Sequence, residues 1–263
     1  LALQSPSLLQ LRQAGVFPRL SPVDAECGTG RLLHIIGPNG AGKSTLLARI
    51  AGMLDGEGEV YFSGRPLSGW PAQDLARRRA YLAQQQPPVS MMPVFQYLRL
   101  HQPPMASETV IEEVVNFLTD RLMLADKLAR ALTQLSGGEW QRVRLAATLL
   151  QIWPTANPES RLLLLDEPAN SLDVAQQVAL DDLLHSLCQS GLTVIVCAHD
   201  LNHSLHHADG VWLMSSGQLV AQGDTAGVMQ PETLSPVFGV NFQRCRVDDR
   251  YWLIACRDRP AVD

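Results

Sequence analysis

Short unbroken apolar runs alternate along this chain with longer segments in which apolar residues return every three or four positions. Leu32-Leu33-His34-Ile35-Ile36, Leu162-Leu163-Leu164-Leu165 and Thr193-Val194-Ile195-Val196-Cys197-Ala198 are runs of the first kind, bounded by turn residues. Each predicts a strand buried on both faces. The segment from Lys43 to Ala51, closed by Gly52, is of the second kind. So is a helix predicted from an Asp173 cap to about Ser190, ended by Gly191, with Val174, Val178, Leu183, Leu184 and Leu187 toward the core. Strands alternating with helices predict an α/β fold with a mainly parallel sheet covered on both faces. Residues 8–36 read as short strands and turns, including Gly28-Thr29-Gly30. Further strands are predicted within Gly56–Gly64, bounded by glycine turns, and around Ala80–Ala83, with hairpins over Trp212–Val220 and over Arg244–Cys256, the latter turning at Asp248-Asp249.

The pattern breaks at Gln84-Gln85-Gln86-Pro87-Pro88, because proline is rejected by helix interiors and central strands. From Val94 to about Leu149 it is mainly helical. Apolar residues recur at Val110, Val114, Phe117 and Leu118 and again at Val143, Ala146, Ala147 and Leu150, with a loop ending in Leu135-Ser136-Gly137-Gly138 between them. Residues 1–86 and 149–230 therefore read as one core, 87–148 as an inserted helical subdomain and 231–263 as a C-terminal extension. Pro87 to His101 is unusually apolar for a connection, with Val89, Met91, Met92, Val94, Phe95 and Tyr97. Such patches mark docking surfaces.

Composition narrows the class. Of 263 residues, 46% are apolar and 18% charged, and no apolar stretch approaches the ~18 residues needed to span a bilayer. Leu1 to Leu11 lack a basic start followed by an apolar block, so no secretory signal is expected, and a chain opening without Met reads as trimmed. Five scattered cysteines without a C-x-x-C pair predict free thiols in a reducing cytoplasm. A net charge of −5 argues against nucleic acid as a partner. Arg77-Arg78-Arg79 and Arg142/Arg144 read as solvated helix positions or partner contacts.

The chemistry starts where the first apolar run meets Gly37-Pro38-Asn39-Gly40-Ala41-Gly42-Lys43-Ser44-Thr45. A strand, a glycine-rich loop and a helix in that order aim backbone N–H groups at one point, which is what a nucleotide's phosphates require. Lys43 is placed to reach the β- and γ-phosphates and the Ser44 hydroxyl to ligate Mg²⁺. Asp166 and Glu167 end the four-leucine strand, Asp166 suited to hold Mg²⁺ and Glu167 to polarise an attacking water. His199 follows the next buried strand and, at the same sheet edge, is a γ-phosphate contact. Gln84 also follows a strand, with an amide able to touch Mg²⁺ or the water. Ser136-Gly137-Gly138-Glu139 opens a helix and offers a second anion site. Two half-sites in one chain predict a two-fold homodimer in which each phosphate loop meets the partner's Ser136 segment.

In this order the motifs resemble the ATP-binding-cassette ATPases over roughly residues 8–240. The resemblance makes Gly37–Thr45 the phosphate loop, Gln84 the Q-loop, Ser136–Gln141 the signature, Ser171, Leu172 and Asp173 the D-loop, and His199 the switch histidine. Glu139 stands where that family has Gln. More narrowly, the chain is similar to the ATPase subunits of bacterial vitamin B12 importers, through Tyr81–Gln86, Leu135–Ala147 and the stretch from Asn157-Pro158 through Leu162–Pro168 to Asn170–Gln177. The resemblance implies a P-loop NTPase core with an inserted helical subdomain and a small antiparallel β part. It also implies MgATP as the reactant, two transmembrane permease subunits as partners, and a periplasmic binding protein acting indirectly. The resemblance further implies a peripheral place on the cytoplasmic face of the inner membrane. Importers of iron siderophores or haem use similar ATPases, and a non-transport relative acting on DNA or ribosomes is a more distant alternative. The family stacks an aromatic on adenine; here Phe17 is the candidate, with Arg19 as an alternative cation–π partner.

Overall fold

The computed structural model describes residues 7–84, 87–88 and 90–256. Its first elements are two long antiparallel strands, β1 (Ser7–Val16) and β2 (Leu20–Gly28), where the sequence predicts several short ones. Register shifts between Leu11 and Ala14 and between Ala14 and Val16 account for the difference. They interrupt the period-two alternation by which one long pair would be recognised. β3 (Leu32–Ile36) then feeds the glycine-rich loop and α1 (Lys43–Ile50). β4 (Glu59–Phe62) returns to β1 and carries the two-residue β5 (Arg65–Pro66), completing an antiparallel sheet in the order β2-β1-β4-β5.

After α2 (Ala72–Arg78), β6 (Arg79–Leu82) enters a second sheet. The chain leaves that sheet for α3 (Val94–Arg99), α4 (Glu108–Arg121) and α5 (Gly137–Ile152). It comes back through β7 (Leu162–Asp166), α6 (Val174–Gln189), β8 (Thr193–Cys197), α7 (Leu201–His207), β9 (Gly210–Ser215) and β10 (Gln218–Asp224). The second sheet has the order β10-β9-β3-β8-β7-β6, parallel except for the β9–β10 hairpin. The C-terminal part adds α8 (Thr225–Val228), α9 (Pro231–Phe238) and a separate hairpin of β11 (Asn241–Val247) and β12 (Arg250–Cys256).

The central strands β3, β7 and β8 are buried at every position, as unbroken apolar runs require. Successive side chains serve opposite layers. Leu163, Leu165, Val194 and Val196 pack against the helical layer of α3 to α6, while Leu162, Leu164, Ile195 and Cys197 pack with α1 and the antiparallel sheet. Truncating one of them, Leu164→Ala for instance, removes a fully buried side chain and costs about 2–5 kcal/mol. The cysteines at 27, 188, 197, 245 and 256 are free thiols; burial pushes the Cys27 thiol up to about 11 and Cys188 up to about 12.

Helix α6 corrects one expectation. Its buried stripe is Leu180, Leu183, Leu184 and Leu187, whereas Val174 and Val178 are 77% and 55% exposed. At about 100° per residue, Val178 lies roughly 160° around the helix from Leu180 and cannot share its face. Phe117 is likewise partly exposed, its ring tilted against Trp153. Among the described residues no helix is long and apolar enough to cross a membrane.

Candidate functional site

In register, Asp166 on β7 and Ile35 on β3 both stand opposite Cys197 on β8. The carboxyl ends of three parallel strands therefore meet at one sheet edge, the edge where ligands bind in open α/β sheets. The loops that leave it carry Gly37–Gly42, Glu167 and His199. They surround a cleft of about 670 Å³ whose lining includes Lys43, Ser44, Gln84, Glu167 and His199, with Asn39 to Gly42 and Thr45 on the loop wall. Residues 122 positions apart are in direct contact here: the Ser44 hydroxyl donates to Asp166 Oδ1 at 3.1 Å.

The loop depends on its glycines. A Cβ on Gly37 would stand 2.2 Å from the Met214 carbonyl oxygen, and Gly42, the N-cap of α1, holds φ 97°, a conformation side chains disfavour. Pro38 and Ala41 close the turn, with the Ala41 N–H donating to the Pro38 carbonyl at 3.1 Å. Lys43 folds back over it, its ammonium donating to the carbonyls of Gly37 at 2.9 Å and Pro38 at 3.1 Å. Burial lowers the Lys43 pKa from its ordinary value, against the pull of Cys197, Glu167 and Asp166. Burial raises Asp166, opposed by hydrogen bonds from Ser44 and Cys197. The enclosed Cys197 thiol is held well above its usual range, chiefly by burial.

Glu167 adopts φ 52°, uncommon for a residue with a Cβ, and its carboxylate is held from two sides. Asn170 Nδ2 donates to Oε2 at 2.6 Å, and His199 Nε2 contacts Oε1. The strand-end carboxylate and the histidine, taken from separate motifs, thus form one hydrogen-bonded unit. Gln84 sits exposed at the lip. Arg19 lines the same cleft beside Pro18, Ser216 and Gly217, whereas Phe17 is 86% exposed and is not among the lining residues.

Ser136–Gly138 do not line this cleft. Ser136 caps α5 in a reciprocal pair: its hydroxyl accepts from the Glu139 N–H at 3.2 Å, and its own N–H donates to Glu139 Oε2 at 2.8 Å. That backbone bond is the main reason the Glu139 carboxyl lies below the usual range. It also explains how Glu serves where the family has Gln, since either side chain can accept the bond. A Cβ on Gly138 would approach the Ser171 carbonyl oxygen to 2.8 Å. Gln141 Nε2 donates to the Pro168 carbonyl at 3.2 Å. The Ser136 segment therefore leans on Pro168–Ser171 from behind. Leu172 is buried there, and Asp173 caps α6 with Gln176 as its reciprocal partner.

Arg144 is not the solvated position that the sequence suggests. It donates to the carbonyls of Ala83 at 2.6 Å and Gln84 at 3.4 Å, and to Gln141 Oε1 at 3.2 Å, so that α5 grips the start of the Gln84 loop. The i,i+3 spacing of Gln141 and Arg144, nearly one helical turn, is the local signal for their mutual contact; the carbonyls that Arg144 meets beyond β6 are not visible in sequence. Arg78 pairs with Glu159 at 2.5 Å and lies over the Trp70 ring, so the 77–79 cluster is packed as well. Gln85, Gln86 and Val89 lie outside the described residues, as do 1–6 and 257–263.

A phosphate loop, strand-end carboxylates, a histidine and a Ser-Gly-Gly helix start in this fold define an ATP-binding cassette. Residues 20–170 match the ABC transporter family, and the chain belongs to it. It is 73% identical to "Vitamin B12 import ATP-binding protein BtuD" of Pectobacterium atrosepticum over 94% of this chain and 98% of the relative. It is 55% identical to the protein of that name from Yersinia enterocolitica, with coverage of 94% and 98%. In fold it is similar to the ATP-binding subunit of an ABC transporter, with TM-score 0.73 and 23% identity over 89% of this chain and 94% of the other. A transporter ATP-binding cassette in its ADP conformation aligns with TM-score 0.69 and 22% identity, covering 89% and 100%.

Proposed function

We propose that this chain is the ATP-hydrolysing subunit of a membrane importer for vitamin B12, working as a homodimer that closes on two ATP molecules. The observation that carries this reading is the division of the site. Lys43, Ser44, Glu167 and His199 surround one cleft, while Ser136 and Gly137 stand exposed outside it. Two copies related by a two-fold axis would complete each cleft with the other's Ser136 segment. Val174 and Val178, one turn apart on the outer face of α6 beside Ser171–Asp173, give such an interface apolar area. The import of vitamin B12 named for relatives as similar as 73% supports the cargo.

Ser44 and Asp166 are oxygen donors in contact, and the Gln84 amide lies at the same cleft, a set that suits Mg²⁺. Bound with ATP, that ion neutralises charge on the β- and γ-phosphates. Lys43 exchanges its loop carbonyls for phosphate oxygens. Gly37 to Thr45 wrap the phosphates with backbone N–H groups at the start of α1. Glu167, steadied by Asn170 and His199, accepts the proton of the attacking water as its oxygen bonds to the γ-phosphorus and the bond to the β-phosphate oxygen breaks. His199 and the partner copy's Ser136 hold the γ-phosphoryl oxygens, so catalysis is mostly positioning and charge. Departure of the cleaved phosphate removes the charge that held the copies together, and the interface opens.

The stroke reaches two permease subunits, with a periplasmic binding protein beyond them, from a peripheral position on the cytoplasmic face of the inner membrane. Met91 and Phe95 are exposed near the Gln84 loop and form the docking surface, whereas Val94 is wholly buried and packs the helical layer. Vesicles holding this chain with its copurifying permease test the reading. ATP-dependent cobalamin uptake supports it, and uptake of an iron siderophore instead overturns the cargo while sparing the ATPase.

A further inference from the structure

Helices α6 and α7 face each other behind Glu167 and His199, and the sides they present carry groups for which ATP hydrolysis has no use. His203 Nε2 lies 3.0 and 2.9 Å from the two oxygens of Asp181. His207 Nε2 lies 3.9 Å from Asp181 Oδ2, with no nearer polar partner among the described residues. One ligand atom from each of the three is within 4.8 Å of the others. His203 and His207 stand one turn apart on the same face of α7, their rings stacked at 4.6 Å. His185 follows Asp181 by one turn of α6 and is near enough for its charge to act on His207.

A single hydrogen bond between Asp181 and His203 would suffice to pin the two helices. It leaves unexplained a second imidazole turned to the same carboxylate without a bond of its own. We propose that Asp181, His203 and His207 form a binding site for a divalent transition ion of the zinc, nickel or copper(II) class. Two imidazoles and one carboxylate match that class, whereas Mg²⁺ and Ca²⁺ prefer sets built of oxygen. His203 and Asp181 are in hydrogen-bond contact that an ion would replace, whereas His207 Nε2 stands somewhat farther off than around a bound ion, and a small rotation of its partly exposed ring brings it in. His185 or water takes the remaining position.

The site differs from the Mg²⁺ set at Ser44 and Asp166 in both donors and place, so the two fail independently. A cavity of about 200 Å³ is lined by Asp181 and His203 together with Glu167 and His199, but by neither Ser44 nor Asp166. Occupied, the site would tie α7, which starts two residues after His199, to α6, which starts just beyond the Ser171–Asp173 turn.

The test uses the untagged, nucleotide-free full chain titrated with Co²⁺, and with Zn²⁺ against a chromophoric chelator. The expected result is one ion per chain at micromolar affinity, with visible cobalt d–d bands and no thiolate-to-cobalt charge-transfer band. His207→Ala, which removes no hydrogen bond and leaves the fold intact, weakens binding by at least about tenfold, and Asp181→Asn does the same. His206→Ala leaves affinity unchanged, because that ring is engaged with the Tyr251 carbonyl and the Trp252 edge instead. Zn²⁺ also raises the melting temperature of the original chain, through binding to the folded state alone, and fails to raise that of His207→Ala. Absence of binding up to millimolar ion, affinity unchanged in His207→Ala, or a spectrum dominated by thiolate charge transfer overturns the site.

Discussion

The phosphate-loop end and the Ser136 end of this molecule solve the same problem, presenting backbone donors at a helix start, in opposite ways. At the first, the donors face a cleft already furnished with a lysine, a glutamate and a histidine from distant parts of the chain, with Asp166 buried behind Ser44. At the second, the helix start is capped by its own Ser136–Glu139 pair and left at the surface. The first end is a nearly complete reaction centre. The second lies outside that cleft, and on the proposed reading it completes the cleft of a second copy.

The strongest way to break this contrast is to disable chemistry at the first end without touching binding. Glu167→Gln should lower steady-state phosphate release by about 10²–10⁴-fold while nucleotide binding persists, and unchanged turnover would remove Glu167 from the role of base. The second end is probed next by Gly138→Ala, whose new Cβ meets the Ser171 carbonyl. Displacing that helix start by a fraction of an ångström should cost up to about 10²-fold in turnover. ATP affinity of the isolated chain should stay as it was; a large affinity loss would place Gly138 in the chain's own cleft.

Arg144→Met tests the strut between the two ends. The Ala83 and Gln84 carbonyls lose their donor, so urea denaturation should show a loss of about 1–3 kcal/mol, with turnover falling a few-fold. Full stability would mean that water replaces the guanidinium. The smallest change is Ser136→Ala, which removes a helix cap worth about 1 kcal/mol by the same denaturation measurement. Its turnover at saturating ATP should fall by more than that stability loss accounts for if, as proposed, the hydroxyl serves a second copy. Equal retention of turnover would leave Ser136 as a cap and nothing more.

Much of this could be read along the chain. The spacing of the phosphate-loop glycines, the caps at Ser136 and Asp173 and the unbroken four-leucine run are short-range signatures, since each shows within a few residues of sequence. Reading failed where the demand was set from elsewhere. The bulges that join β1 and β2 into a long pair disguised their alternation. Val174 and Val178 look like core by composition and lie outside it by helix phase. Arg144 looks like a free surface charge and is a half-buried link to the Ala83 and Gln84 carbonyls.

By itself, then, the order of residues nominated the groups proposed to bear the chemistry and set much of their local conformation, because dihedral preference, capping and hydrophobic period act over one or two turns. Only the folded sheet decided that Ser44 meets Asp166, that His199 rests on Glu167, and that Asp181 faces His203 and His207. Those meetings depend on strand order and on how the helices pack across it, and packing is a property of the whole chain at once.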